Sequence, residues 1–228
     1  MIKNFLHFKE ISIFGIEHLR DPATIITNLI LFFVSFWCYR RISKQFSGPE
    51  AKNWGGFFLF GSIAYLIGVP VHGFSWYFSE LNHFYIWLVM GWMQILAVGF
   101  AQFATAKQYF PNQLKWIRVL IIVQFIFFCT LMVFIRKFAA VNIDVALGLV
   151  PIAVWQISLY QKKKLATPMV GWGILFAALA GVAFILKIMI SSWFSYNDIA
   201  HVILVVSLLM MYAGLKKNFS TPDTVSRG

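Results

Sequence analysis

Charge is what this sequence of 228 residues has least of: 12% of it is Asp, Glu, Lys or Arg, about half the share of an ordinary soluble domain, and only 8 residues are acidic. That shortage excludes a soluble globule, because 60% hydrophobic residues leave too little polar surface to cover a core. Two cysteines, Cys38 and Cys129, carry no thiol motif and fall at different depths of two apolar segments, which excludes a disulfide framework. There is no low-complexity segment, no internal repeat, and no small-residue cleavage site after the first apolar stretch, so the N-terminus does not read as a cleaved leader.

What is present is apolar length. Seven stretches approach the roughly 20 residues needed to cross a bilayer: Pro22 to Tyr39, Gly55 to Phe78, His83 to Ala106, Trp116 to Ile135, Ala140 to Tyr160, Met169 to Met189 and Asp198 to Leu215. The expectation is an all-α, multi-pass integral membrane protein, a bundle of seven transmembrane helices. Residues 1–21 form an N-terminal segment, read as a short interfacial helix or a loose tail, 22–215 the transmembrane domain and 216–228 a mobile tail. Thirteen of the 19 Lys and Arg fall in loops on one side, among them Arg40, Arg41, Lys44 and Lys162 to Lys164. Six fall on the other: Lys3, Lys9, Arg20, Arg136, Lys137 and Lys187. Positive loops stay cytoplasmic, so the N-terminus is expected outside and the C-terminus inside. The formal charge of +11 is then a topology and headgroup signal, and no nucleic-acid partner is implied. A bacterial inner membrane and a eukaryotic plasma membrane or endomembrane both satisfy it.

With this topology the polar residues at membrane depth gather in one layer. Asp21, Asn28, His72, His83, Asp144, Asn197, Asp198 and His201 all fall in the outer half, contributed by five segments. Ionisable groups in a membrane cost about 2.5 to 3.5 kcal/mol each by insertion scales and usually face inward, paired and functional. Asp21, Thr24 and Asn28 share one helix face by their spacing, and Gly68 lies one turn below His72. Three histidines near one mouth suit a catalytic zinc site, with the fourth position left to water made acidic by the metal. Asp21, Asp144 or Asp198 could orient an imidazole or take a proton. The plainer reading is a polar outer cavity, with Asn82 and Asn197 as helix caps, and residue types alone leave the two readings open.

The arrangement resembles the CREST superfamily of membrane hydrolases, which takes in alkaline ceramidases and adiponectin-receptor-like proteins. The likeness rests on seven spans, His72 late in the second, a ligand-type residue opening the third, and the four-residue spacing Asn197 to His201 in the seventh; Thr27-Asn28-Leu29-Ile30 is similar to the ceramidase branch. The family pattern is Ser-x3-His in span two, Asp opening span three and His-x3-His in span seven. Against it, Gly68 replaces the serine, His83 the aspartate and Asn197 the first histidine of the pair. The resemblance implies a zinc ion, here on His72, His83 and His201 if His83 takes over the lost ligand role, with Asp198 behind them. It implies a membrane lipid as substrate, its amide or ester bond cleaved with Asp21 or Asp144 handling protons and Asn28 or Asn197 facing the oxyanion. Two alternatives stand beside it: a receptor or scaffold of the same fold without turnover, and a transporter using Asp144, Gln94 and Gln102.

Overall fold

A computed structural model describes residues 11–13, 16–191 and 193–221. Two short antiparallel strands, β1 (Ile11–Ile13) and β2 (Ile16–Leu19), precede seven helices. These are α1 (Pro22–Gln45), α2 (Pro49–Gly73), α3 (Glu80–Tyr109), α4 (Leu114–Ile135), α5 (Ala139–Gln161), α6 (Met169–Ile185) and α7 (Tyr196–Phe219). Each apolar stretch read from the sequence therefore coincides with one helix. Six are long and apolar enough to cross a membrane; α6, at 17 residues, is the shorter one.

Local chemistry sets the boundaries. Proline stands in the first turn of α1 and of α2, where its missing N–H is not needed. Ser79 caps α3 by accepting the Asn82 N–H at 3.2 Å. Ser195 and Asp198 form a reciprocal capping box at the start of α7. Arg136, in the left-handed conformation at φ 48°, closes α4.

Four expectations are corrected here. The segment read as an interfacial helix or loose tail is a strand pair over the described part of 11–19, where Ile11, Ile13 and Ile16 are β-branched and favour extended backbone. Residues 1–10 lie outside the described residues. The second span ends at Gly73, not Phe78, because Pro70 removes a helix hydrogen bond and the chain turns through a 3-10 turn at Ser75–Tyr77. The sixth ends at Ile185, and Lys187 adopts a positive φ of 50° in the turn that follows. Finally α7 runs on to Phe219, so Lys216 and Lys217 belong to its last turn, where cations suit the helix dipole, and not to a tail. Residues 222–228 of that tail lie outside the described residues.

The helices pack in sequence, α1 on α2 and α2 on α3, while α3 also meets α5, α5 meets α6, α6 meets α7 and α7 returns to α1. Six helices thus close a ring, and α4 packs outside it against α3 and α5. Only 11% of the apolar window of α4 is buried, against 33 to 50% for the other five long helices. Close approach around α6 depends on small residues: a Cβ at Gly171 would lie 2.7 Å from the Ala153 carbonyl oxygen, and one at Gly214 2.6 Å from the Val170 nitrogen. Cys38 and Cys129 are free.

Candidate active site

The starts of α1, α3 and α7 lie at the same end of the bundle as the end of α2, and the sequence-predicted residues sort themselves at that end. Asp198, buried in the first turn of α7, is the hub. Its Oδ2 accepts the Ser195 backbone N–H at 2.6 Å and the Ser195 hydroxyl at 2.9 Å, and its Oδ1 accepts the Thr24 hydroxyl of α1 at 2.8 Å. The Thr27 hydroxyl lies 3.4 Å from the same Oδ1.

Thr27 connects the hub to an imidazole. Its Oγ1 is 2.8 Å from His201 Nδ1 and 3.2 Å from the Thr24 carbonyl oxygen. Placing the proton on Nδ1 gives a continuous donor order from His201 to Thr27 to Asp198, and this tautomer leaves the Nε2 lone pair free. Across from it, at the end of α2, stands His72, its ring edge-on to His201 with centroids 6.5 Å apart. His72 is half-buried and has no hydrogen-bond partner among the described residues. The chain before α1 is tied in beside it, the Arg20 N–H donating to the Gly73 carbonyl oxygen at 3.1 Å.

Asp21 joins this group as the N-cap of α1. It has a left-handed backbone at φ 45°, and its side chain makes no cap hydrogen bond. Burial first, and then the nearby Asp198 charge, push its carboxyl up to about 6, with Arg20 opposing. A carboxyl that titrates near neutrality and has no fixed partner is suited to proton exchange. Asn197, half-buried and one turn before His201, shares that residue's face of α7.

Other candidates go elsewhere. His83 donates its Nε2 proton to the Val71 carbonyl oxygen at 3.0 Å, tying the start of α3 to the end of α2. That nitrogen is therefore not available to a metal. Asn28 donates to the Thr24 carbonyl oxygen at 3.0 Å, and its Oδ1 lies against Gly68, where an added Cβ would be 2.6 Å away. Its amide fills the space that a serine at 68 would occupy, which is why glycine stands there. Asp144 belongs to a separate network between α3, α4 and α5. Its Oδ1 accepts from Gln124 at 2.7 Å, Gln124 accepts from Gln102 at 3.0 Å, and its Oδ2 is buried with no hydrogen-bond partner among the described residues.

Neither Ser195 nor Gln124 is among the residues to which the sequence points. The first had a signal, the Ser-x-x-Asp spacing of a capping box at the head of an apolar run. The second is a lone amide in a lipid-facing helix, a kind of residue that usually has an interhelical partner.

Among the described residues no three His, Cys, Asp or Glu side chains lie close enough together to hold a metal ion. The three-histidine shell expected from the sequence is therefore not assembled; a pair is. Two imidazoles sharing a tetrahedral zinc at ordinary bond lengths would have centroids roughly 5 Å apart, so His72 and His201 at 6.5 Å stand slightly wider than a shared ion requires. As donors they fit zinc in kind, since both are imidazoles and one is oriented through its other nitrogen by a hydroxyl and a carboxylate.

No curated protein matches the chain, and no solved structure matches it. One family model does, covering residues 23–219, a stretch that holds nearly all of the seven helices. The chain belongs to that family, DUF6962, described as a family of unknown function.

Proposed function

We propose that this protein is a seven-span membrane hydrolase, N-terminus outside, that cleaves an amide or ester bond of a membrane lipid at the His72 and His201 pair. The observation that supports this reading most is the convergence of two imidazoles from α2 and α7 in front of the Thr27 and Asp198 relay. His72 and His201 would hold the zinc ion that the CREST resemblance implies, which when bound supplies a Lewis acid and lowers the pKa of water.

The chain's own residues do the rest. Asp198 and Thr27 hold the proton of His201 on Nδ1 and fix the ring plane. Asp21, at the mouth and able to titrate near pH 6, takes up and returns a proton. Asn197, one turn from His201, faces the developing oxyanion. Asp144 has no part in it.

The test is release of fatty acid from a panel of ceramides and phospholipids by detergent-purified protein. Release abolished by chelation and by His72→Ala or His201→Ala supports the reading. Activity that survives thorough metal removal rejects the metal-dependent mechanism. A second reading, a receptor or scaffold without turnover, is favoured by the bond from His83 to Val71 and by the glycine at 68, which leave two imidazoles and no serine hydroxyl. It predicts lipid binding with no product from any lipid in the panel.

A further inference from the structure

A cavity opens at the same end of the bundle, between the start of α3 and the end of α4. It has a volume of about 610 Å³, within the range of about 300 to 1,000 Å³ typical of small-ligand sites, and is lined by Glu80, His83, Phe84, Trp87 and Arg136 among others. Its chemistry is unlike that of the histidine pair. One carboxylate and one guanidinium line the same space, both exposed, and no ion pair joins them. Opposite charges left unpaired across a cavity match a ligand that carries both signs.

The rest of the wall narrows the class. The Arg136 guanidinium lies 4.7 Å from the centroid of the Phe84 ring, which fixes its plane and leaves its N–H edges free for the oxygens of a phosphate ester. Phe84 stacks with Trp87 at 6.1 Å, and Trp87 meets Phe138 edge-on at 6.2 Å, so the floor is aromatic. An aromatic floor beside a carboxylate is the usual setting for an alkylammonium group. His83 is held in place by its bond to Val71 and contributes a fixed wall. Around this end Trp76, Tyr77, Tyr85 and Trp193 are exposed, as aromatic side chains are at the headgroup level of a bilayer.

We infer that this cavity binds the zwitterionic headgroup of a phospholipid, its phosphate on Arg136 and its ammonium between Glu80 and Trp87. The inference does not depend on hydrolysis at the histidine pair.

The test is native mass spectrometry of delipidated protein in detergent, titrated with phosphatidylcholine, phosphatidylethanolamine or phosphatidylglycerol of matched acyl chains. The two zwitterionic lipids should bind at least tenfold more tightly than the anionic one. Arg136→Asn, which the left-handed backbone accepts, and Glu80→Gln should each weaken them at least tenfold, and Glu80→Gln should bring phosphatidylglycerol level with them. Thermal melts equal to wild type certify that the variants are folded, and Arg136→Lys should bind between wild type and Arg136→Asn. Equal binding of all three lipids to the wild type, or wild-type binding by folded Arg136→Asn or Glu80→Gln, overturns the assignment. Soluble phosphocholine that displaces the lipid shows that the headgroup chemistry alone is read. Failure to displace, with the lipid preference intact, shows that the acyl chains are needed as well.

Discussion

Replacing Gly68 with serine, the residue that the resembled family carries at this place, tests whether Asn28 explains the glycine. A Cβ at 68 would sit 2.6 Å from Asn28 Oδ1, well inside contact distance, and Asn28 is buried and held by its bond to the Thr24 carbonyl oxygen. To make room the amide must rotate and give up that bond. Overpacking of this kind costs about 1 to 3 kcal/mol, and serine regains roughly half a kcal/mol over glycine in helix propensity. The net loss is about 0.5 to 2.5 kcal/mol, a fall in Tm of roughly 1 to 10 °C for a chain of this length. Asn28→Ala alone should cost a similar amount through the lost hydrogen bond and the space left behind. In the double variant the serine enters that space, so the two losses should fall short of additivity by about 1 kcal/mol or more, measured by thermal or denaturant unfolding in detergent. Strict additivity, or a Gly68→Ser protein as stable as wild type, would refute the explanation.

Three further outcomes follow from the same contacts. Asp198→Ala leaves the Thr24 hydroxyl and the Ser195 N–H without their buried acceptor and removes the capping box. A destabilisation of about 2 to 4 kcal/mol is expected in unfolding experiments, and a loss below 0.5 kcal/mol would show the hub to be unimportant. Asp21 is raised in the folded state from 3.8 to about 6, so between those values the folded chain binds more protons than the unfolded one, and this group's contribution to stability falls as pH rises through the window. Asp21→Asn should flatten that part of the Tm profile between pH 4 and 6, whereas an unchanged slope would assign it to other groups. Gln124→Leu strips Asp144 of its remaining partner and should destabilise the protein by about 2 to 4 kcal/mol, while Gln124→Leu combined with Asp144→Leu should recover most of the loss. Equal stability of the single and double variants would show that Asp144 finds another partner.

The helices were legible because each apolar run is long and bounded by proline, glycine or charge, as at Pro22, Pro49 and Pro111. Their ends were less so, since Pro70 stops α2 early while α7 continues through two lysines that composition assigns to a tail. The structure brings His72, His201, Asp198 and Asp21, which depth and helical spacing put in one layer, to one end of the bundle. His83 and Asp144 lie around the bundle at different positions from that group, and one sequence gives depth far better than azimuth. Nothing in the residue types says that His83 turns its Nε2 toward Val71, or that Asp144 faces α4, because both depend on how α3, α4 and α5 rotate about their axes. Thr27 carries the relay to His201, and a threonine in an apolar helix gives no sign by itself of which partner its hydroxyl will meet.

The most direct test of the proposed centre is zinc content by elemental analysis of detergent-purified protein, wild type beside His72→Ala, His201→Ala and His83→Ala. The account predicts about one zinc per chain in the wild type, loss in His72→Ala and His201→Ala, and retention in His83→Ala, whose imidazole is committed to Val71. Folded wild-type protein that takes up no zinc when it is supplied, or that keeps it after His72 and His201 are both replaced, would contradict the account.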